Sequence, residues 1–294
     1  MSAGLKFWRD AVEGDVATEA VARLSSNPGY EDVLRRTVSG ALAYFDTAPE
    51  INRTFRDVGT FGLGVLALHL DAHGGVTHRK LAELGSSSAI LSTGRASAIL
   101  AMMRVKGLII REASRRPDGH VHYLPTANLI HFFNTRLKLE LSALAHVEPA
   151  LVLFLDDWDA PGMFRRFVGT FGARLARAQN RPIAELEPVQ QIGTHRAGFF
   201  ILCDLLARAD RGSAFPPTDT FEINVSDIAR RFDVARSQAR RVIQQLEDSG
   251  FLARDAGTGE ARFTTELHTL FKRYMTVLHI GLMACAYDAM QPKD

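Results

Sequence analysis

The chain has 294 residues, 46% hydrophobic and 23% charged, which excludes a disordered chain and supplies apolar material for about two folded domains. Its net charge is +2, so a basic field over the whole molecule is excluded and any nucleic-acid surface must be local. Residues Met1 to Asp10 lack the apolar stretch of a secretory leader and no run of about 18 apolar residues occurs, which reads as a cytoplasmic protein.

Residues 1–55 read as helices. Asn27-Pro28-Gly29 is a turn, and Val33, Thr37, Val38, Ala41, Leu42 and Phe45 then recur at helical spacing. Residues 56–132 form a first unit. An apolar helix ends at His73-Gly74-Gly75. A short helix follows, capped by Thr77 and carrying Leu81 and Leu84. A Ser-rich turn over 85–88 leads to a third helix that ends at Gly107. Leu108–Ile110 and Val121–Leu124 read as strands around the turn Arg115-Arg116-Pro117-Asp118-Gly119.

Residues 133–192 read as a helical connector, with a long amphipathic helix over 128–147 and a further one over 163–178. Residues 193–294 repeat the earlier order. Phe199–Leu206 is an apolar helix and Phe221–Val225 a strand. Ser226 caps a small helix with Ile228, Ala229 and Phe232, and a third helix over 237–248 stops at Ser249-Gly250. Strands at 251–253 and 261–263 flank Gly257-Thr258-Gly259, and a last helix runs over about 266–290.

Gly107 and Gly250, 143 residues apart, each end a helix and open an apolar strand. The same offset sets Ser92-Thr93-Gly94-Arg95 against Ala235-Arg236-Ser237-Gln238. Leu81-Ala82 and Ile228-Ala229 need four residues more, which predicts a longer turn before the third helix of the first copy. A second echo, at 59–62 and 169–172, does not share the offset and is set down to chance.

Both units resemble the winged helix-turn-helix of MarR-type bacterial regulators. The resemblance rests on a small polar cap, Leu/Ile-Ala, a turn, a Ser-rich start of the third helix, Leu-x-x-x-Gly-Leu-Ile, and a basic turn. These run over Val225–Arg262 and, less fully, Val76–Leu124. It implies a mainly α fold with small β-wings, in which two winged helix-turn-helix domains are joined and flanked by helices. It implies a sequence-specific transcription regulator that binds double-stranded DNA. Such regulators are commonly homodimers of single-unit chains, and some sense small aromatic ligands.

The residue types suit that chemistry. Arg236, Ser237, Gln238, Arg240, Arg241 and Gln244 are polar, while Ala239, Val242, Ile243 and Leu246 form the apolar set of the same helix. Arginine reads guanine and glutamine reads adenine through bidentate contacts, and helix-terminal amides with Ser237 suit a phosphate. Residues 228–254 hold six Arg against three acids. The plain alternative is a solvated arginine-rich face. In the first unit Ser92, Thr93, Arg95 and Ser97 are candidates, with Arg79 and Lys80 for backbone contacts. Arg115, Arg116, His120 and His122 flank one wing turn and Arg262 lies on the other.

No phosphate-binding loop, zinc spacing or nucleophile elbow occurs, so no enzyme, cofactor or metal is expected. Asp156, Asp157 and Asp159 read as caps and solvated turns, and His69, His73 and His78 as surface or capping groups. Cys203 and Cys285 read as buried thiols. Phe132, Phe133, Trp158, Phe164, Phe167 and Phe171 read either as core or as the lining of an effector pocket. Two other functions stay open: a plasmid-type replication initiator and a winged-helix protein-interaction module. Apolar stripes over 129–144 and 267–290 exceed what a small wing core needs, which favours a homodimer over an intramolecular pseudo-dimer.

Overall fold

The computed structural model describes residues 3–13, 17–87, 92–113, 117–177, 184–212, 214–255 and 257–291. Four helices open the chain: α1 (Ala3–Glu13), α2 (Ala17–Ser25), α3 (Tyr30–Thr47) and the single turn α4 (Pro49–Asn52). The Asn27 side chain accepts the Gly29 amide at 2.9 Å and so shapes the turn into α3. α3 buries the helical set from Val33 to Phe45 that the spacing predicts.

Six elements follow: α5 (Val58–Ala72), β1 (Val76–Thr77), α6 (His78–Ser87), α7 (Thr93–Val105), β2 (Ile109–Arg111) and β3 (His122–Pro125). The strands form an antiparallel sheet in the order β1-β3-β2. α8 (Ala127–Leu144), α9 (Ala150–Asp156), α10 (Met163–Arg177), a 3-10 turn at Ala184–Leu186 and α11 (Glu187–Thr194) make the connector. The same six-element order then recurs as α12 (Gly198–Ala209), β4 (Thr220–Phe221), α13 (Val225–Arg231), α14 (Arg236–Asp248), β5 (Leu252–Arg254) and β6 (Ala261–Phe263). Its sheet has the matching order β4-β6-β5. α15 (Thr265–Met290) closes the chain.

The likeness extends to hydrogen bonds. Gly107 and Gly250 hold φ of +64° and +70°, a left-handed conformation that glycine adopts without a Cβ penalty. The next amide returns to the helix in both copies, Leu108 to Met103 O and Phe251 to Leu246 O, each at 2.8 Å. Thr126 Oγ1 donates to Gly107 O at 3.0 Å, and Thr264 Oγ1 to Gly250 O at 2.7 Å. These pairs span 19 and 14 residues, so the first hairpin is the longer one.

Several boundaries differ from the sequence reading. β1 was not foreseen, because two residues carry no alternation. Thr77 belongs to that strand, and its hydroxyl also accepts the Lys80 amide at 3.2 Å. The strand expected over 221–225 stops at Phe221. Asn224, not Ser226, caps α13: its Oδ1 accepts the amides of Ser226 and Asp227 at 3.0 and 3.2 Å. Of the four extra residues before the third helix of the first copy, most lengthen α6, which has ten residues against seven in α13.

One apolar core runs from Leu5 to Ala289. α15 packs on α1, α2 and α10, and α8 packs on α3. The two long apolar stripes are therefore covered by the chain's own helices. Of their large apolar side chains, Ile130, Leu139 and Leu278 are exposed. The aromatic set is core: Phe132, Phe133, Trp158 and Phe167 are buried, with Trp158 edge-on to Phe154, Phe164 and Phe167. Both cysteines are buried free thiols, pushed up to about 12 by burial. No described helix is long and apolar enough to cross a membrane. Among the described residues no three metal-ligating side chains come together, and Asp159 pairs with Lys138 at 2.8 Å.

The echo set down to chance marks a real contact on one side. α5 and α10 pack closely, and a Cβ on Gly172 would lie 2.3 Å from that of His69. His69 Nδ1 is 2.7 Å from Gly169 O, and burial lowers its pKa. His69 is thus a half-buried packing residue rather than a surface group.

Candidate DNA interface

The second unit builds an exposed polar helix on a rigid base. α13 is capped and short, and Ile228 and Ala229 on it are buried. The chain then turns through Asp233, whose φ of +50° is left-handed and unusual for a residue with a side chain. Two supports hold this turn. The Val234 amide donates to Ala229 O at 3.0 Å. Arg56, buried between α4 and α5, donates from Nη1 to the carbonyls of Phe232 and Asp233, each at 3.0 Å.

α14 then sorts cleanly. Ala239, Val242, Ile243 and Leu246 are buried, while Arg236, Ser237, Arg240, Arg241 and Gln244 are exposed and Gln238 is half-buried. Ala235 precedes the helix and offers no side-chain cap, and no acid sits in the first turn. The leading amides and the positive end of the helix dipole are thus left for an anion.

Ion pairing separates the arginines of this region. Arg230 pairs with Asp227 at 3.2 Å, and Arg254 pairs with Glu247. Arg231 is held by Asp204 at 2.5 Å and Asp46 at 2.7 Å. The side chains of Arg236 and Arg240 make no hydrogen bond or ion pair among the described residues. Arg241 bonds only to Gln238 Oε1, at 3.2 Å on its own helix, and lies near His195, whose pKa is lowered first by burial and then by that charge. Gln244 donates to Asp248 at 2.9 Å. Three of the cations left available, Arg236, Arg240 and Arg241, lie on the exposed face of α14. On the wing, Arg262 is exposed on β6 opposite Ala253. The turn itself is acidic, and Asp255 is held below the usual carboxylate range by the Thr258 and Gly257 amides.

The first unit departs from the expectation. Arg95 donates to Asp57 Oδ1 at 2.9 Å, so it braces the start of α5 instead of standing free. Ser92 caps α7 by accepting the Arg95 amide at 3.3 Å, and Ser97 donates to Thr93 O. The exposed face of α7 includes Thr93, Ala98, Ala101 and Val105, which offer little for base edges. Arg104 covers the Tyr123 ring and Arg79 pairs with Glu83. His122 is not a wing-tip group: it is buried and bonded to Asp118 at 2.8 Å. Arg115 and Arg116 lie outside the described residues.

Residues 202–256 match the model of the IclR helix-turn-helix domain. The matched stretch runs from α12 through α13 and α14 to the second hairpin. The stretch is similar to an IclR-type helix-turn-helix domain, where the sequence pattern suggested MarR, and this supports a DNA-binding transcription regulator. The match lies wholly within the second unit. No curated protein and no solved structure matches the chain.

Arg56 was missed by the sequence reading. Asp57 and Thr60 form a capping box at the start of α5, which the sequence analysis did not single out. Nothing local marks a contact that spans 176 residues.

Proposed function

We propose that this protein is a sequence-specific transcription regulator with two winged helix-turn-helix units in one chain, in which α14 is the principal base reader. The observation that carries the reading is the sorting of charge: internal pairs hold Arg208, Arg230, Arg231 and Arg254, while Arg236, Arg240 and Arg241 stand on one exposed helix face behind an uncapped N-terminus. The shared element order, strand order and glycine–threonine junction support the reading of the first group as a second winged unit. Its third helix is poor in base-reading groups, so the first unit serves to hold the DNA backbone next to the site that α14 reads.

One chain suffices for this task, since the long apolar stripes are already covered. It would contact two unlike half-sites rather than a palindrome. The test is a gel-shift titration of Arg240→Ala on the bound promoter sequence and on a scrambled duplex. A loss of roughly 1–3 kcal/mol on the specific site alone is expected for a bidentate base contact. Equal small losses on both duplexes would reduce Arg240 to a phosphate contact, and no loss on either would remove α14 from the interface.

A further inference from the structure

The turn between α11 and α12 carries His195 and Arg196. Arg196 is exposed and His195 half-buried, and neither side chain makes a hydrogen bond or ion pair among the described residues. Burial first, and then the charge of Arg241 on α14, lowers the pKa of His195. The turn therefore shares the electrostatic neighbourhood of the exposed α14 face, and an anion set between these groups would be favoured by all three.

The backbone of this turn is tightly determined. Ala197 holds φ of +61°, a left-handed conformation that strains a residue with a side chain. Its amide donates to Arg56 O at 3.0 Å. Gly198 follows so close to Ile192 that a Cβ on it would lie 1.9 Å from the Ile192 carbonyl oxygen. Arg56 thus ties the α11–α12 turn through its carbonyl and the α13–α14 turn through its guanidinium. Arg196 and α14 are held to one support.

The turn also lies between the third helices of the two units. Arg241, near the start of α14, stands on one side. On the other, Gly193 of α11 packs on Val58, where a Cβ would come within 2.7 Å, and the adjoining Asp57 holds Arg95 of α7 at 2.9 Å.

We propose that Arg196, with His195 beside it, clamps a DNA backbone phosphate between the bases that α14 reads and the stretch of duplex that the first unit holds. This rests on the reading of α14 as a DNA-contacting helix. An exposed guanidinium offers a phosphate a charged fork of donors. Because phosphate contacts position a protein and base contacts specify the sequence, a clamp fixed to α14 through Arg56 sets the register of that helix on the duplex.

The test is the affinity of the full chain over a salt series, measured by fluorescence anisotropy. One duplex is of mixed sequence and about 30 base pairs, near three helical turns. The other is of the same length and enriched by the wild-type protein from a random pool. Arg196→Ala should weaken both roughly three- to tenfold and make the slope of log affinity against log salt shallower by about 0.9. Its melting temperature should stay near wild type, since the position is exposed. Arg196→Lys should restore the slope, because neutralising a phosphate needs the charge more than the fork. Cys203 and Cys285 are buried, so Arg196→Cys can be labelled selectively with an iron chelate that cuts nearby DNA. Cleavage of the enriched duplex should fall beside the bases whose preference Arg240→Ala relaxes. Unchanged affinity and slope in Arg196→Ala, while Arg240→Ala still loses specific binding, would overturn the clamp and leave the α14 reading intact. A loss on the enriched duplex alone, or an absence of cleavage, would also overturn it. No DNA binding by the wild type, or no loss in either variant, would remove both.

Discussion

Arg56 holds the carbonyl of Phe232 at 3.0 Å, and with it the turn that aims α14. The guanidinium is buried and belongs to the segment that opens the first unit, while the turn belongs to the second. Arg53 adds an ion pair to Asp233 at 3.5 Å. The Ala197 amide, just before α12, donates back to Arg56 O at 3.0 Å. The two groups of elements are thereby locked at the base of the α13–α14 turn.

Arg56→Ala should cost roughly 1.5–3 kcal/mol of stability, since it removes charge-assisted bonds to two carbonyls and leaves them without that donor. Arg56→Lys should recover only part, because an ammonium cannot reproduce the planar fork. Denaturant titration measures this. Loss of Arg56 should also weaken DNA binding beyond what unfolding accounts for. Unchanged stability in Arg56→Ala would show that water replaces the guanidinium.

Arg231 and Arg240 should behave as opposites. Arg231 neutralises the buried Asp204, which keeps only Arg208 at 2.7 Å when Arg231 is gone. Arg231→Ala should therefore lose roughly 1–3 kcal/mol of stability, below the full cost of breaking a buried pair because one cation stays. Arg240→Ala should leave the melting temperature near wild type, as an exposed position away from the core does. Thermal melts of the two variants, paired with their DNA affinities, separate the roles. A stable Arg231→Ala would place its charge on the DNA side.

That distinction marks what the sequence shows and what it hides. The apolar spacing of Ala239, Val242, Ile243 and Leu246 against the arginines made the two faces of α14 legible, because helical periodicity is local. Gly107 and Gly250 were legible as helix stops for the same reason. In composition Arg231 looks like Arg236, yet its partners Asp46 and Asp204 lie 185 and 27 residues away. Arg95 looked free for the same reason, with Asp57 38 residues back. The apolar stripes of α8 and α15 looked exposed because their cover is α3 in one case and α1, α2 and α10 in the other, which only tertiary packing brings there.

Two glycines should respond in opposite directions. A methyl on Gly172 would lie 2.3 Å from His69 Cβ, where neither backbone can yield easily, so Gly172→Ala should destabilise by roughly 1–3 kcal/mol despite the gain in helix propensity. Gly40→Ala meets open space and should stabilise by roughly 0.5–1 kcal/mol. Urea titrations of the pair test the α5–α10 contact. A neutral Gly172→Ala would mean that the two helices move apart at no cost.

The last prediction concerns acid. His279 is buried on α15, 2.9 Å from the Tyr30 hydroxyl, and its Nε2 has no partner. Burial, and after it the charge of Arg136, pushes its pKa down from 6.5 to about 3. Burial pushes the Tyr30 phenol up, so the pair stays uncharged at neutral pH. In the unfolded chain the imidazole takes a proton near its ordinary value, while in the folded chain it does not. The unfolded state therefore binds more protons between the two values, and stability falls as pH drops through that window. Between about pH 6.5 and about pH 4.5 this group should contribute a loss of roughly 2–3 kcal/mol. His279→Phe removes the titration, and its stability should decline less steeply over the same range. Denaturant titrations at a series of pH values measure the two slopes. Parallel slopes would show that water or a local opening already serves the imidazolium in the folded protein.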